Sequence, residues 1–230
     1  MQDEACLIIF DCDGVLIDSE PLSCRAVAEE LTKAGFPFSA AQVGTRFTGM
    51  SDVSMYAAIE REAGRRLPPD LNRRVHERLM AAFRSELKAI DGIHHVLDHL
   101  DGSAIPYCVA SSSTPERLDI TLNHVGLHDR FAAIFSASMV KRGKPAPDLF
   151  LHAAVNMGVR PGRCVVVEDS VAGVTAARAA GMAVVGVSGG GHCLVGHDEM
   201  LAGAGADKVA GDMGRIPDLL HGLLETQNVV

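Results

Sequence analysis

The amino-acid sequence predicts an α/β fold, in which a parallel β-sheet forms the core and a helical module is inserted after the first strand. Short apolar runs alternate with longer amphipathic segments over most of the 230 residues. Apolar strands that alternate with helices are typical of parallel sheets covered by helices on both faces. The stretch from about residue 18 to residue 88 breaks this alternation, because it is densely charged and contains no good strand.

The elements of the core are predicted from the apolar runs and from the segments between them. Buried strands are predicted at residues 6–10, 105–110, 165–167 and 183–187, where polar or glycine residues end each run. Helices are predicted at residues 115–125, 147–157 and 172–180. In the first of these helices, Leu118, Leu122 and Val125 share one face, which we expect to pack on the sheet.

The inserted module is predicted to be entirely helical. Its helices are expected at residues 22–34, 51–63 and 71–87. Pro68 and Pro69 separate the last two helices, and either Asp70 or Asn72 caps the third. We therefore expect a core domain made of residues 1–17 and 88–230, and a helical cap domain made of residues 18–87.

Composition and charge exclude several classes of protein. The net charge of −8 does not favour binding to nucleic acid or to an anionic membrane. No run approaches the ~20 apolar residues of a membrane span, and the acidic start of the sequence is unlike a signal peptide. The six cysteines form no C-x-x-C pair. We expect a cytoplasmic protein, a monomer or weak dimer, that binds neither nucleic acid nor membrane.

Polar residues stand where the predicted strands end, which is where open parallel sheets bind their ligands. These residues are Asp11, Asp13, Ser111, Glu168 and Asp169, together with Lys144 in the loop 141–148. Carboxylates that converge repel each other unless a cation lies between them, and oxygen ligands suit Mg²⁺. A lysine and a hydroxyl beside such a site suit a phosphate.

Each of these groups alone has an ordinary structural explanation. An Asp-x-Asp sequence is usually a loop, and Glu168 and Asp169 lie where acidic residues favour the start of a helix. The joint pattern at the strand ends is hard to explain by chance. It is typical of phosphoryl transfer, in which one carboxylate attacks the phosphoryl group and a second exchanges protons with the leaving group and with water.

Four motifs resemble those of the haloacid dehalogenase superfamily, in its phosphatase branch. They occupy residues 10–20, 109–112, 143–148 and 166–173. The helical insert is similar to the α-helical cap of that family, so the resemblance implies a Rossmann-like parallel sheet core with an inserted α-helical cap domain. Within the superfamily, the chain looks most like the β-phosphoglucomutase-like group of sugar-phosphate phosphatases.

The resemblance implies a role for each strand-end residue. Asp11 is expected to be the nucleophile and Asp13 the general acid/base, while Ser111 and Lys144 hold the phosphoryl oxygens. Magnesium is expected to bind Asp11, the backbone carbonyl of Asp13, Asp169, and Glu168 either directly or through water. The expected substrate is a small phosphorylated metabolite, a sugar phosphate. Its expected contacts are Gly14, Glu20, Arg46, Gly49, Met50, Ser51 and Ser112, with a solvated surface charge as the alternative for Arg46.

Two alternatives to hydrolysis remain open. A phosphomutase of the β-phosphoglucomutase type shares the first half of the reaction. Such mutases carry a histidine and an arginine where this chain has about Leu22 and Asp52, and a carboxylate at residue 52 would repel a second phosphate. The other alternative is a catalytically silent binding or regulatory relative, against which the presence of every expected reactive group argues. The second aspartate, Asp13, argues against the dehalogenase branch.

Overall fold

A computed structural model of the protein describes residues 5–47, 50–189, 193 and 196–227, and its core is a β-sheet. Its strands are β1 (Leu7–Phe10), β2 (Tyr107–Ser111), β3 (Ile134–Ser136), β4 (Cys164–Glu168), β5 (Ala183–Val187) and β6 (Lys208–Ala210). They form one six-stranded sheet in the order β3-β2-β1-β4-β5-β6, and every neighbouring pair is parallel. The predicted α/β fold is therefore confirmed.

Helices connect the strands and also fill the long insertion between β1 and β2. In the described residues they are α1 (Glu20–Lys33), α2 (Ala40–Phe47), α3 (Asp52–Ala63), α4 (Leu71–Glu86), α5 (Ile93–Gly102), α6 (Pro115–His124), α7 (Asp148–Asn156), α8 (Val171–Ala179), α9 (His197–Gly203) and α10 (Ile216–Gln227). None of these described helices has both the length and the apolar character needed to cross a membrane.

The strands β3 and β6 and the helices α2, α5, α9 and α10 were not among the predicted elements, and for β3, β6 and α2 the reason is physical. The strands β3 and β6 have three residues each and lie at the two edges of the sheet, so they leave only a short apolar signal. The helix α2 begins at a capping box, in which the main-chain N–H of Gln42 donates to the Ser39 hydroxyl and the Ser39 N–H donates to the Gln42 side chain, at 3.1 and 2.8 Å. The Ser-x-x-Gln spacing was therefore a readable signal for α2.

The central strands are buried because helices cover both faces of the sheet. On one face, Leu7 and Ile9 of β1 belong to a cluster of buried side chains that includes Phe150 of α7 and Val174 of α8. On the other face, Phe10 packs edge-on against the rings of Tyr107 and Phe131, with ring centroids 6.2 Å apart in both pairs. This packing fixes the carboxyl end of β1, where the first predicted site residues follow.

The contacts within the chain divide it into two compact units. One unit contains the described residues of Met1–Asp18 and Lys88–Val230, and the other consists of those of Ser19–Leu87. The predicted cap domain begins at residue 18, one residue before the first residue of the helical unit, Ser19. In the first unit, the Asp18 N–H donates to the carbonyl of Lys88 at 2.9 Å, so the two chain segments that lead to and from the insertion are hydrogen-bonded.

The helical unit contains a buried carboxylate that ties α1 to α4. Glu30 is only 4% exposed, and it accepts hydrogen bonds from Lys33 at 2.8 Å and from Arg78 at 2.7 Å. Arg74 lies 3.3 Å from the second oxygen of the same carboxylate. Three cations therefore compensate one buried negative charge at the contact between these two helices.

Candidate active site

Asp11 is held at the end of β1 by the sheet itself. It directly follows the strand, and its main-chain N–H donates to the carbonyl of Val167 in β4 at 2.9 Å. The chain then turns sharply, since the N–H groups of Leu16 and Ile17 both donate to the carbonyl of Cys12. Gly14 has a φ of +78° in this turn, a conformation that glycine adopts without the steric cost of a side chain. The carboxylate of Asp11 is consequently fixed and almost fully buried.

Three carboxylates converge at the ends of β1 and β4. The two strands are neighbours, with Phe10 paired to Val167, so the residues that follow them lie at the same edge of the sheet. Asp11, Glu168 and Asp169 each place a carboxylate oxygen within 4.8 Å of the other two. The structure thus brings together three of the four residues for which the sequence predicts a metal site.

The side chain of Lys144 lies between two of these carboxylates. Its Nζ donates to Oδ1 of Asp11 at 2.6 Å and to Oε1 of Glu168 at 2.8 Å, and it lies 4.8 Å from the centre of the Phe150 ring. The Lys144 side chain is 4% exposed. A fully desolvated ammonium is therefore fixed beside the predicted nucleophile, where it can stabilise negative charge far better than a solvated lysine.

The protonation equilibria follow from burial and from the crowding of charge. Burial raises the pKa of the Asp11 carboxyl well above its usual range, and Glu168 and Asp169 raise it further, whereas Lys144 lowers it. Burial lowers the pKa of Lys144, but the charges and hydrogen bonds of Asp11 and Glu168 outweigh this effect, so that its pKa is raised and the ammonium keeps its proton. One ammonium among three carboxylates leaves an excess of negative charge that a divalent cation balances.

The carboxylate of Glu168 is already occupied by donors from the protein. Its Oε1 accepts from Lys144, and its Oε2 accepts from the main-chain N–H of Ser170 at 2.8 Å. The Ser170 hydroxyl also lies within hydrogen-bond distance of both oxygens and caps α8 by accepting from the N–H of Gly173 at 3.0 Å. Of the two predicted modes for Glu168, contact with a metal through water fits this arrangement better than direct ligation.

The glycine at residue 173 makes room for Glu168 and was missed by the sequence reasoning. A Cβ atom at this position would lie 2.5 Å from Cγ of Glu168 and nearer still to its carboxylate. Residue 173 does not have the left-handed backbone conformation that favours glycine, so only the packing against Glu168 shows that glycine is needed here. The sequence Glu-Asp-Ser-Val-Ala-Gly therefore positions the carboxylate at one end and leaves space for it at the other.

Ser111 ends β2, the strand on the other side of β1. It is 1% exposed, and its hydroxyl oxygen accepts from the N–H of Ser113 at 3.1 Å. Ser112 is exposed. Ser111 therefore lies at the same edge of the sheet as Asp11, where it can donate to an oxygen of a bound anion, and its phosphoryl contact stays a prediction.

Asp13 has two partners that the sequence reasoning did not identify. Ser113 donates its hydroxyl to Oδ2 of Asp13 at 2.8 Å, and Arg117 donates to Oδ1 at 2.6 Å. Both partners lie 100 or more residues away along the chain, so no local spacing links them to Asp13. The segment directly after β2, which follows Ser111, thus contacts the predicted general acid/base.

The remaining predicted substrate contacts lie in the helical unit. Glu20 is the first residue of α1, and Ser51 caps α3 by accepting from the N–H of Ser54. Arg46 donates to both oxygens of Glu62 and stacks on two phenylalanine rings. Met50 is exposed. Gly49 lies outside the described residues, and for all five residues the substrate contact stays a prediction.

The donors in the acidic cluster fit a hard divalent cation. All three side chains offer carboxylate oxygens, which are the ligands that Mg²⁺ prefers in proteins. Asp169 is also fixed from the backbone side, because its carbonyl oxygen lies 2.6 Å from Nε2 of His197. In the part of the chain that the structure describes, this is the one group of three or more potential metal ligands.

Comparisons with known proteins identify related sequences and structures. A family model described as haloacid dehalogenase-like hydrolase matches residues 8–187. The 6-phosphogluconate phosphatase of Escherichia coli K12 is 32% identical over 179 residues, which cover 77% of this chain and 80% of the relative. The fructose-1-phosphate phosphatase of the same strain is 34% identical over 181 residues, covering 78% and 95%. A conserved haloacid dehalogenase-like protein of unknown function from Agrobacterium tumefaciens has a TM-score of 0.86 at 40% identity, covering 95% of this chain and 99% of that structure.

Proposed function

The chain belongs to the haloacid dehalogenase-like hydrolase family, and from this premise we propose that it is a Mg²⁺-dependent phosphatase that hydrolyses a sugar phosphate through an aspartyl-phosphate intermediate. The observation that carries the proposal is the pair of hydrogen bonds from Lys144. Its ammonium joins Asp11, the proposed nucleophile, to the carboxylate cluster proposed to hold the metal. Charges that are fixed in a water-excluded site stabilise a transferring phosphoryl group more strongly than solvated charges do.

In the first half of the reaction, the phosphoryl group moves from the substrate to the protein. A carboxylate oxygen of Asp11 attacks phosphorus, so that a new O–P bond forms while the ester O–P bond breaks. The proton of Asp13 goes to the leaving oxygen, which departs as an alcohol. Lys144 and Ser111 hold the phosphoryl oxygens, and the buried ammonium reduces the repulsion between Asp11 and the anionic ester.

In the second half, water returns the protein to its starting state. The water oxygen attacks phosphorus, its proton goes to Asp13, and the bond between phosphorus and the Asp11 oxygen breaks. Inorganic phosphate then leaves. A mutase would instead return the phosphoryl group to a sugar hydroxyl. A phosphatase and a mutase therefore differ only in whether a water oxygen or a sugar oxygen reaches the intermediate.

We propose that the carboxylates of Asp11 and Asp169 and the backbone carbonyl of Asp13 would hold Mg²⁺ directly, and that Glu168 would hold it through water. When bound, the ion neutralises charge on the transferring phosphoryl group. The excess of carboxylates over ammonium groups in the cluster supports this assignment. The chain's own contribution is to hold these oxygens at the carboxyl ends of β1 and β4.

The substrate class is proposed from the relatives. Two curated relatives are named as phosphatases of 6-phosphogluconate and of fructose 1-phosphate, and both compounds are sugar phosphates. Ser112 and the helical-unit residues named above are proposed as the specificity contacts. A substrate that binds Arg46 has to compete with Glu62 for its guanidinium.

The experiment that tests the proposal is a screen for released phosphate. The panel contains 6-phosphogluconate, fructose 1-phosphate, other sugar 1- and 6-phosphates, phosphoglycolate and nucleotides, each with Mg²⁺ or with a chelator. We expect Mg²⁺-dependent release from at least one sugar phosphate, and its loss in Asp11→Asn. The matched control is Asp101→Asn, because Asp101 is an ion-paired carboxylate of the same unit that pairs with Arg130. It should keep its activity.

Two results would contradict the proposal. Equal phosphate release by the wild-type protein and by Asp11→Asn would exclude Asp11 as the nucleophile. Conversion of glucose 1-phosphate to glucose 6-phosphate, with a bisphosphate activator, at a rate above that of phosphate release would assign the protein to the mutases.

A further inference from the structure

The carboxylate of Asp13 is held through both of its oxygens. Ser113 donates to Oδ2 at 2.8 Å and Arg117 donates to Oδ1 at 2.6 Å. The Asp13 side chain is 30% exposed and that of Arg117 is 25% exposed. Two donors of different chemistry therefore fix both the position and the rotation of a half-buried carboxylate.

Ser113 and Arg117 belong to a segment whose own backbone is held by hydrogen bonds. The Ser113 N–H donates to the hydroxyl oxygen of Ser111 at 3.1 Å, and its carbonyl accepts from the hydroxyl of Ser136 at 2.7 Å. Thr114 then caps α6 by accepting from the N–H of Arg117 at 3.3 Å. Asp13 is consequently attached to the same rigid segment that begins at Ser111.

The two donors differ in what they allow each oxygen to do. A guanidinium can only donate, so Oδ1 stays an acceptor as long as Arg117 contacts it. A hydroxyl can donate or accept, so the contact between Ser113 and Oδ2 persists whether or not Oδ2 carries a proton. The arrangement therefore leaves Oδ2 as the oxygen that can give up and receive a proton without losing its partner.

We propose that Arg117 and Ser113 are positioning residues for Asp13, which hold its carboxylate in the orientation from which Oδ2 exchanges a proton with the leaving oxygen. This inference rests on the proposed phosphatase function. The competing explanation is structural, namely that the ion pair only ties α6 to the turn after β1. The two explanations differ in whether the effect of a substitution depends on the leaving group.

The test compares two esters that differ in how much their leaving groups need a proton. The probes are phenyl phosphate and p-nitrophenyl phosphate, since phenol has a pKa of about 10, like tyrosine, and the nitro group makes the second leaving group much less basic. The measured quantity is kcat/KM, which reports the steps up to departure of the phenol and excludes the later hydrolysis that both esters share. The variants are Ser113→Ala and Arg117→Met, with Ser113→Thr and Arg117→Lys as conservative versions.

Arg130→Met is the matched control. Arg130 belongs to the same unit, its side chain is 26% exposed, and it pairs with two carboxylates, Asp98 and Asp101. It therefore resembles Arg117 in burial and charge pairing but makes neither of the contacts to Asp13. Thermal unfolding of every variant shows whether it is folded, and Ser113→Ala keeps the proposal testable if Arg117→Met does not fold.

We expect Ser113→Ala and Arg117→Met to lower kcat/KM by about 10²-fold for phenyl phosphate but by only about tenfold for p-nitrophenyl phosphate. Ser113→Thr should recover part of the kcat/KM that Ser113→Ala loses with phenyl phosphate. Arg130→Met should show no difference in kcat/KM loss between the two esters. An equal loss with both esters, or no loss with either, would overturn the inference. If instead the wild-type protein hydrolyses neither the two aryl esters nor any sugar phosphate of the panel, or if Asp11→Asn hydrolyses them equally well, the proposed function itself has failed.

Discussion

Replacement of Gly173 with alanine should destabilise the protein, although alanine is the better helix former. The new Cβ would lie 2.5 Å from Cγ of Glu168, whereas ordinary contact begins at 3.4 Å. Glu168 is 1% exposed, so its side chain cannot swing into solvent. To make room it has to give up its hydrogen bonds to Lys144 and to the Ser170 N–H, both 2.8 Å long.

The magnitude follows from two opposing terms. The helix propensity of alanine favours the variant by about 1 kcal/mol. Separation of a buried ion pair from one partner costs about 3–5 kcal/mol. The free energy of unfolding should therefore fall by about 2–4 kcal/mol, which lowers Tm by roughly 4–16 °C for a chain of this length.

Thermal unfolding followed by far-ultraviolet circular dichroism measures this effect. Gly222→Ala is the matched control, because Gly222 lies within α10 and a Cβ there would meet no atom within 4 Å. This control should be stabilised by a fraction of a kcal/mol up to about 1 kcal/mol. A Tm of Gly173→Ala equal to or above that of the wild-type protein would refute the steric argument, and with it the fixed placement of Glu168.

Three further predictions concern individual charged residues. Lys144→Met should lower the free energy of unfolding by about 3–5 kcal/mol, because it leaves buried carboxylates without their cation, and it should lower kcat by about 10²–10³-fold; a stable, active variant would contradict this. Asp169→Ala should raise the Mg²⁺ concentration for half-maximal activity sharply, which a titration of phosphatase activity measures, and an unchanged titration would show that Asp169 is not a ligand. Hydrogen bonds from Lys33 and Arg78 lower the pKa of Glu30, so its carboxylate stabilises the fold above the ordinary glutamate pKa of about 4.3 and loses this effect as the pH falls through the lowered value. Glu30→Gln should accordingly cost about 1.5–3 kcal/mol at pH 7, and the gap to the wild-type protein in urea unfolding should narrow in acid; a gap independent of pH would contradict this assignment.

The sequence was informative about the residues that follow the central strands. Apolar runs that end in a carboxylate predicted β1 and β4, and the convergence of Asp11 and Glu168 then followed from neighbouring parallel strands. The predicted helix at residues 172–180 matches α8 within one residue. These features were readable because each depends on a local run of five to ten residues.

The features that were missed depend on packing rather than on local pattern. The contact of Arg117 with Asp13 joins residues 104 positions apart, so no spacing rule connects them. The need for glycine at residue 173 depends on the rotamer of Glu168. The edge strand β3 is too short for periodicity to detect. Helix α2 is the exception, since the Ser39–Gln42 capping box was present in the sequence.

The central claim, that Asp11 carries the phosphoryl group, is tested most directly by trapping the intermediate. The protein is mixed with an excess of a hydrolysed sugar phosphate and Mg²⁺, quenched in acid within the first turnover, digested, and analysed by mass spectrometry. We predict that the peptide containing Asp11 gains the mass of one phosphoryl group, that the gain disappears in Asp11→Asn, and that it decays as inorganic phosphate is released. Rapid phosphate release with no phosphorylated peptide, or with the group on another residue, would contradict the account.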